Sequence, residues 1–557
     1  MTSNFKPFDG PRKETRDETL GKDEALLSSL GYKQELKREF KPLEVRYLLS
    51  TSCRRRNEKN SFSGVAYSVI GLLPSLASVM INSLPNGGGP AMVWGWLVAG
   101  VFVTFISLAV AELGSAAPTS GGLYFWTFAL SPPRWRNLLC WLVGYANTTG
   151  NIAGLASVGW GCASQIMAAA TIGSNGTFHP SSAQIYGVYV AIIVSQAVIC
   201  SLGTAVMARL QILYVTLNIL LVVVVIIALP VATPVEFKNT SQFALRDFYN
   251  SNGWPNGFAF ILSFLSPLWT ICGFDGSVHI SEEASNAAIA VPWAIMGATI
   301  LSVIFGFGAN MALAFCMGTN YDLLLGSQQP MATIFFNSFG QKPTLALWAF
   351  VVIVLYMTGS SILLAGSRQV FAFGRDHALP LSWWLYRVNT FTNTPLNTVW
   401  FTSGLAVLLG LLAFAGPQAI GAVLTLGVVA LYFAYCIPIG ARIIWGRRAL
   451  RPGPFDLGTL SVPISLIAVV FMTFMIIVFL FPTASHPTSQ GMNYSVVVFG
   501  GVMSLSICWY YFPKYGGVYW FTGPVKNVDI PVQGLEEQFL DHDDTEKAEA
   551  ENIVQST

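Results

Sequence analysis

Asp275 is a carboxylate in the middle of an apolar segment, with Gly273 and Gly276 close to it on either side. An ionised carboxylate at mid-membrane costs about 2.5 to 3.5 kcal/mol on insertion scales, so such a residue usually has a role. Asp275 could bind the ammonium group of a substrate, or it could carry a proton, because burial favours the neutral acid. The plainer interpretation is a protonated or hydrogen-bonded side chain that only stabilises a broken helix. The residue types leave these three interpretations open.

Two apolar segments contain residues that interrupt a helix. The first has Gly71 and Pro74 near its middle, and the sixth has Pro267 followed by Gly273 and Gly276. Glycine leaves helical geometry easily, and proline removes a hydrogen bond. Paired interruptions in corresponding segments indicate the central site of a transporter, because unpaired backbone groups are tolerated only beside protein or a watery cavity. The N–H groups of one half-helix could hold a carboxylate and the carbonyls of the other an ammonium, which suits a zwitterion. A simple kink in each helix is the alternative.

The elements that position these residues are predicted to be membrane-spanning helices. Of the 557 residues, 53% are hydrophobic and 10% are charged, whereas soluble domains carry about 25% charged residues. This composition excludes a set of soluble domains and predicts an all-α polytopic membrane protein. A spanning helix needs about 20 apolar residues, and twelve segments have that length. They are roughly 62–84, 89–111, 136–169, 184–206, 209–231, 257–281, 292–316, 343–366, 397–416, 418–440, 461–482 and 494–512.

The segments outside this region are polar. We therefore predict a transporter domain over 62–512, between a disordered N-terminal tail, 1–61, and a C-terminal tail, 513–557. With both tails in the cytoplasm, 27 of the 30 Lys and Arg residues lie on the inner side. This agrees with the enrichment of Lys and Arg in short cytoplasmic loops. Three N-glycosylation sequons, at Asn175, Asn239 and Asn493, then lie on the outer side. The two signals agree, and we expect a plasma membrane protein, with the vacuolar membrane as the alternative.

The sequence lacks the residues that other kinds of function would need. Apart from Asp275, only Glu112, at a helix end, could supply an acid within the membrane region, and no HExxH, Walker A or nucleophile motif is present. The eight Cys form no CxxC pair, and the basic residues are not gathered on one face. We therefore expect no enzyme activity, catalytic residue, metal, cofactor or nucleic-acid partner. A non-transporting receptor with the same fold remains an alternative.

Four motifs resemble one family. They are Phe62 to Ser78 with the sequence IGLLPS, Ala111 to Trp126 with AELGSAAPTSGGLYFW, Gly273 to Asn286 leading to Pro292, and Ser367 to Pro380. With these motifs the chain resembles the amino acid, polyamine and organocation permeases, and within them the fungal GABA permease and choline permease branch.

The resemblance implies a LeuT-type fold, in which spans one to five and six to ten are inverted repeats and two helices follow. It also implies secondary active uptake by alternating access, usually with protons in fungi. Carried over, the substrate site comprises Gly71, Leu72, Leu73 and Pro74 of the first span, Tyr145 and Asn147 of the third, and Cys272, Gly273, Phe274 and Asp275 of the sixth. Asp275 is the candidate proton carrier. Ser360 and Ser361 in the eighth span correspond to a cation site of sodium-coupled relatives, although small residues in a packed helix are more often plain interface.

The sequence departs from the family pattern in several places. Many relatives have Gly, a small residue and Gly where this chain has Gly71, Leu72 and Leu73, which leaves fewer N–H groups for a carboxylate. Choline or a polyamine therefore stays an alternative to an amino acid or GABA. The fifth span has no mid-membrane Lys. Residues 46–61 form an extra stretch, either a polybasic segment that binds anionic lipid, at about 1 kcal/mol per basic residue, or a translated intron.

Overall fold

The computed structural model describes residues 16–36, 38, 40, 69–392, 394–446, 450–487 and 492–527, which are almost entirely helical. The α-helices in chain order are α1 (Arg16–Ser29), α2 (Leu72–Ser83), α3 (Gly88–Ala116), α4 (Leu123–Leu130), α5 (Arg136–Gly173), α6 (Ser182–Ser201), α7 (Thr204–Ala232), α8 (Ser241–Leu245), α9 (Asn256–Leu262), α10 (Leu265–Thr270), α11 (Gly276–His279), α12 (Ala287–Cys316), α13 (Tyr321–Leu325), α14 (Pro330–Phe339), α15 (Gln341–Arg375), α16 (Ser382–Leu385), α17 (Leu396–Gly410), α18 (Pro417–Ile444), α19 (Ser461–Val478) and α20 (Ser495–Tyr510). Short 3₁₀ turns lie at Val235–Phe237, Ser281–Glu283, Leu411–Ala415, Gly458–Leu460 and Gly517–Tyr519. Strands β1 (Asn86–Gly87) and β2 (Tyr249–Asn250) form one antiparallel pair.

Nine helices within the described residues are long and apolar enough to cross a membrane. They coincide with the predicted segments two to five and seven to eleven, so the prediction of a polytopic membrane protein is confirmed. The first, sixth and twelfth predicted segments contain shorter helices, namely α2, the group α9 to α11, and α20. The number of twelve spans therefore stays a prediction. A turn separates segments nine and ten, since Gly416 has φ 124° and α18 begins at Pro417.

The packing of the helices places three of the first predicted segments against segments five positions later in the chain. α2 packs against α10, α3 against α12, and α5 against α15. These are the first with the sixth, the second with the seventh and the third with the eighth predicted segments. α18 also packs against α5. The two interrupted segments consequently lie next to each other, enclosed by α5, α15 and α18.

The expectation of disordered tails is wrong for the described parts of the tails. Helix α1 is followed by residues that pack on the bundle, and Leu27, Tyr32, Leu36 and Phe40 are buried. Phe40 forms a parallel bridge with Ala284. Composition averages over a whole segment, whereas four buried apolar side chains spaced four or five residues apart are enough to anchor this one. The remaining tail residues, including the 46–61 stretch and its proposed lipid contact, lie outside the described residues.

Candidate substrate cavity

The break in the first segment is at Gly71. Val69 and Ile70 are helical, Gly71 has φ 45° and ψ 56°, and α2 starts at the next residue. A side chain is excluded there, because a Cβ on Gly71 would lie 2.0 Å from Oγ1 of Thr358 in α15. The Ser75 hydroxyl donates to the Ile70 carbonyl oxygen at 3.0 Å, which pairs a backbone group that the break leaves free. The predicted interruption is confirmed at this position.

The break in the sixth segment spans residues 271–275. α10 ends at Thr270, Gly273 has φ 84°, and α11 begins at Gly276. A Cβ on Gly273 would meet Val69 at 3.0 Å, so the two breaks are in direct contact. Left-handed φ values are readily reached only by glycine, which explains why the sequence has Gly at both positions. This second predicted interruption is also confirmed.

A small cavity of about 50 Å³ lies between the two breaks, below the usual range of about 300 to 1,000 Å³ for small-molecule sites. Its wall is mainly apolar, and none of the described residues in it is Asp, Glu, Lys, Arg or His. The Thr270 hydroxyl is buried there without a hydrogen-bond partner among the described residues. The wall consists of Val69, Ile70 and Ser75 from the first break, Trp269, Thr270, Cys272, Gly273 and Gly276 around the second, Gly150, Asn151, Gly154 and Val158 from α5, Ile362 and Ala365 from α15, and Gly427, Val428 and Leu431 from α18.

Only two of the sequence-predicted site residues, Cys272 and Gly273, belong to this wall. Gly71, Leu72, Leu73 and Pro74 form the adjoining start of α2, where all four are buried. Phe274 is buried and stacks on Tyr435, with ring centroids 5.5 Å apart. Tyr145 lies farther away, since its hydroxyl donates to the Ala378 carbonyl oxygen at 3.1 Å.

The Asp275 carboxylate turns away from the cavity into a polar cluster. The Tyr435 hydroxyl donates to Asp275 Oδ1 at 2.6 Å. Nε2 of His279 lies 3.2 Å from Asp275 Oδ2 and 3.1 Å from Nδ2 of Asn147. Nδ1 of His279 lies 2.9 Å from the Ser120 carbonyl oxygen. The structure thus brings Asn147 and Asp275 together through His279, which sequence reasoning did not single out; its position four residues after Asp275 in a helix was the available signal.

The two serines of α15 are placed away from the cavity wall. The Ser361 hydroxyl lies 3.1 Å from Nε2 of Gln211 in α7. The Ser360 hydroxyl donates to the Tyr356 carbonyl oxygen at 3.2 Å, and the Cys200 thiol lies 3.4 Å from the Ser360 carbonyl oxygen. Thr358 is the residue of this helix that contacts the first break. No group of three or more His, Cys, Asp or Glu that could hold a metal ion occurs among the described residues.

Two buried ion pairs follow the second break, and sequence reasoning missed both. The Arg375 guanidinium donates to both Glu282 oxygens at 3.1 and 3.2 Å, and Arg368 Nε donates to Glu283 at 2.7 Å. Glu282 also accepts from the Ser120 backbone N–H at 3.0 Å. Burial raises the pKa of Glu282, and the Arg375 guanidinium more than offsets that, so the pKa is lowered overall. Glu282 is therefore held as the ionised partner of Arg375.

Comparison with known proteins gives consistent matches over most of the chain. A family model described as amino acid permease matches residues 61–502. An uncharacterised amino-acid permease of Schizosaccharomyces pombe is 35% identical over 531 residues, which are 95% of this chain and 92% of that protein. The GABA-specific permease of Saccharomyces cerevisiae is 35% identical over 516 residues, 91% and 86% of the two chains. Amino-acid permease 2 of Neurospora crassa is 34% identical over 529 residues, 94% of each chain.

Proposed function

The chain belongs to the amino acid permease family, and on that premise we propose that it is a secondary active transporter that imports amino acids by alternating access, coupled to protons. The observation that carries this proposal is the cavity between two broken helices. Broken helices beside a central cavity provide free backbone groups that bind a substrate without charged side chains.

The proposed architecture is a LeuT-type bundle over 62–512, with twelve spans and two inverted repeats of five. It is supported by the pairing of α2 with α10, α3 with α12 and α5 with α15, since elements close to a two-fold axis in the membrane plane pack against their counterparts. Both termini are cytoplasmic in this proposal, and the plasma membrane is the expected location.

The substrate class follows from the groups that the cavity offers. The N–H groups of Leu72 and Leu73, at the start of α2 and next to the cavity wall, have no partner within the helix and carry partial positive charge, which suits a carboxylate. The carbonyls at the end of α10 and the Thr270 hydroxyl suit an ammonium group. Choline and polyamines carry no carboxylate for α2, and no described wall residue is an acid that would hold their charge. The cavity therefore favours an amino acid, including GABA.

The experiment is an uptake panel in cells that lack their own carriers, with GABA, neutral and basic amino acids, choline and polyamines competing with each other. We expect GABA or a neutral amino acid to compete best. Thr270→Val removes the unpartnered hydroxyl and should raise KM about tenfold. Thr299→Val is the matched control, because its buried hydroxyl also has no partner among the described residues but lies outside the cavity wall. Binding without uptake of any compound would show a sensor in place of a carrier.

A further inference from the structure

We propose that Asp275 and His279 share one proton, held by Asp275 Oδ2 against His279 Nε2, and that this is the proton cotransported with the substrate. The second half of this statement rests on the proposed function, whereas the first half concerns the protein at rest. His279 has no assigned role, and neither side chain belongs to the cavity wall.

The hydrogen bonds around His279 require an additional proton. Nδ1 faces the Ser120 carbonyl oxygen at 2.9 Å and Nε2 faces Asp275 Oδ2 at 3.2 Å. A carbonyl and a carboxylate only accept, so each contact needs a hydrogen, and a neutral imidazole supplies one for the two. The missing hydrogen must come from a protonated Asp275 or from an imidazolium.

Asn147 decides between these two forms. Its Oδ1 already accepts a hydrogen bond from Asn151 Nδ2 at 2.8 Å, so its own Nδ2 faces His279 Nε2 at 3.1 Å. An amide nitrogen is a donor and would oppose an N–H on Nε2. The assignment that opposes no two hydrogens is a neutral His279 with its hydrogen on Nδ1, whose single Nε2 lone pair is shared between the hydroxyl of a protonated Asp275 and the Asn147 amide. Oδ1 of Asp275 then accepts from Tyr435.

The ionisable surroundings supply no further charge to this pair. α12 and α2 contain no Asp, Glu, Lys, Arg or His, and the arginines of α15 are held by Glu282 and Glu283. The other charged side chains on α4, α5, α15 and α18 are Arg136 and Lys342, which are exposed, and Arg442, which pairs with Glu112. The remaining ionisable groups there and at the second break are the phenols and thiols of Tyr124, Cys140, Tyr145, Cys162, Cys272, Tyr356, Tyr432, Tyr435 and Cys436. The proton of the pair is therefore bound by the pair alone.

Loss of this proton would destabilise the observed conformation. With the hydrogen of His279 on Nδ1, Oδ2 of Asp275 and Nε2 of His279 would face each other as two acceptors 3.2 Å apart. A shift of that hydrogen to Nε2 would instead remove the hydrogen bond to the Ser120 carbonyl oxygen, so either outcome weakens a contact that holds α11 and the break before it. The Ser120 peptide links a movement of α11 to the bundle end, because its carbonyl contacts His279 and its N–H donates to Glu282. A proton that binds one conformation better than the other shifts the equilibrium between them, which is what coupling requires.

The test uses purified protein in liposomes that contain a pH-sensitive dye, with labelled GABA or the best competitor from the panel. The measured quantity is the number of protons that enter per substrate molecule under an inward pH gradient. We expect this ratio to fall at least tenfold in His279→Gln and in Asp275→Asn. The control His179→Gln, at an exposed histidine, should keep the wild-type ratio. A wild-type ratio in both pair variants would overturn the proposal.

A further variant keeps the proposal testable if neither His279→Gln nor Asp275→Asn folds. Tyr435→Phe leaves the pair intact but removes the hydroxyl that donates to Asp275 Oδ1. This hydroxyl contacts the carboxylate that holds the shared proton, so we expect the pH profile of uptake to differ from that of the wild type. A pH profile identical to that of the wild type would contradict the proposal.

A third measurement separates this inference from the proposed function. pH-difference infrared spectra of the purified protein should contain a carboxylic acid band that is absent from Asp275→Asn. If wild-type protein shows this band but moves no substrate, the proposed transport is wrong and the shared proton stands. If no band depends on Asp275, the shared proton is wrong, whatever the transport result.

Discussion

The Tyr32 hydroxyl donates a hydrogen bond of 3.2 Å to the carboxylate of Asp376, 344 positions later in the chain. The same carboxylate accepts from the Tyr124 hydroxyl at 2.7 Å and from the Val525 backbone N–H at 3.0 Å. One buried aspartate at the end of α15 thus joins the N-terminal segment, α4 and the C-terminal segment.

The ion pair next to this aspartate is part of the same junction. The Arg375 guanidinium lies 4.1 Å above the ring of Tyr32 and binds Glu282. Asn527 donates its backbone N–H to the Gly31 carbonyl oxygen at 3.0 Å. The two tail segments therefore cover the residues that follow the second break. A movement of this region in transport has to carry the tails with it or release them.

The stability of the junction should depend on pH through Asp376. Burial raises the pKa of this carboxyl from 3.8 to about 6. The folded state thus binds the proton more tightly than the unfolded state, and the stability from this group is fully present below about pH 3.8 and is lost as the pH rises through about 6. The shift corresponds to about 3 kcal/mol in the free energy of unfolding. Thermal unfolding of purified wild type and Asp376→Asn from pH 4 to 7.5 measures it.

The comparison between the two proteins isolates this group from all others. Relative to Asp376→Asn, the wild type should lose stability as the pH rises over this range. Asp322→Asn, at an exposed position of α13, is the control. Parallel pH curves for wild type and Asp376→Asn would show that the buried carboxyl does not titrate in this way.

Removal of the Tyr32 hydroxyl should weaken the attachment of the N-terminal segment. Tyr32→Phe keeps the ring under Arg375 but takes one donor from Asp376, and hydrogen bonds to charged groups contribute about 1.5 to 3 kcal/mol. We expect faster hydrogen–deuterium exchange in residues 16–36 and also at Asn527. Tyr515→Phe, at an exposed tyrosine, should leave exchange unchanged. Equal exchange in the two variants would mean that the hydroxyl does not hold the segment.

The first break should not tolerate a side chain. Gly71→Ala combines a left-handed backbone with a Cβ 2.0 Å from Thr358, and we expect it to lower the free energy of unfolding by more than about 2 kcal/mol. Gly421→Ala in α18 is the control, because nothing lies within 4 Å of its added methyl group, and alanine favours a helix by about 1 kcal/mol. Expression and thermal stability of the two variants measure the difference. Equal stability would show that the break can adopt another conformation.

The sequence predicted the two breaks because their cause is local. Gly71 and Gly273 are needed for backbone angles that other residues rarely adopt, and that requirement is visible in the residue types. The partners of Asp275 were not predictable in the same way. Tyr435 lies 160 positions away, and its contact depends on how α18 packs against the bundle. The buried tail segment was missed for the same reason, since Tyr32 is anchored by residues far along the chain.

Of the three outer sequons, only Asn175 should carry a glycan in the folded protein. The Asn175 side chain is exposed. Its Oδ1 accepts a hydrogen bond from Nε2 of Gln341, and its Nδ2 has no hydrogen-bond partner among the described contacts. Nδ2 of Asn239 donates to the carbonyls of Ala314 and Gly318 at 2.8 and 3.1 Å. Nδ2 of Asn493 donates to two carbonyls at 2.7 and 3.0 Å. A glycan is attached to Nδ2, so glycosylation of Asn239 or Asn493 would break these hydrogen bonds.

Endoglycosidase treatment of protein from a secretory-competent host tests this prediction and the proposed orientation together. The wild type should lose the mass of one glycan, Asn175→Gln should show no shift, and Asn239→Gln and Asn493→Gln should shift like the wild type. Loss of the shift in Asn239→Gln or Asn493→Gln alone would contradict the hydrogen bonds described for those side chains. A wild type without any glycan would argue against the outer location of the loop that follows α5, because an exposed sequon on the luminal side is accessible to the transferase.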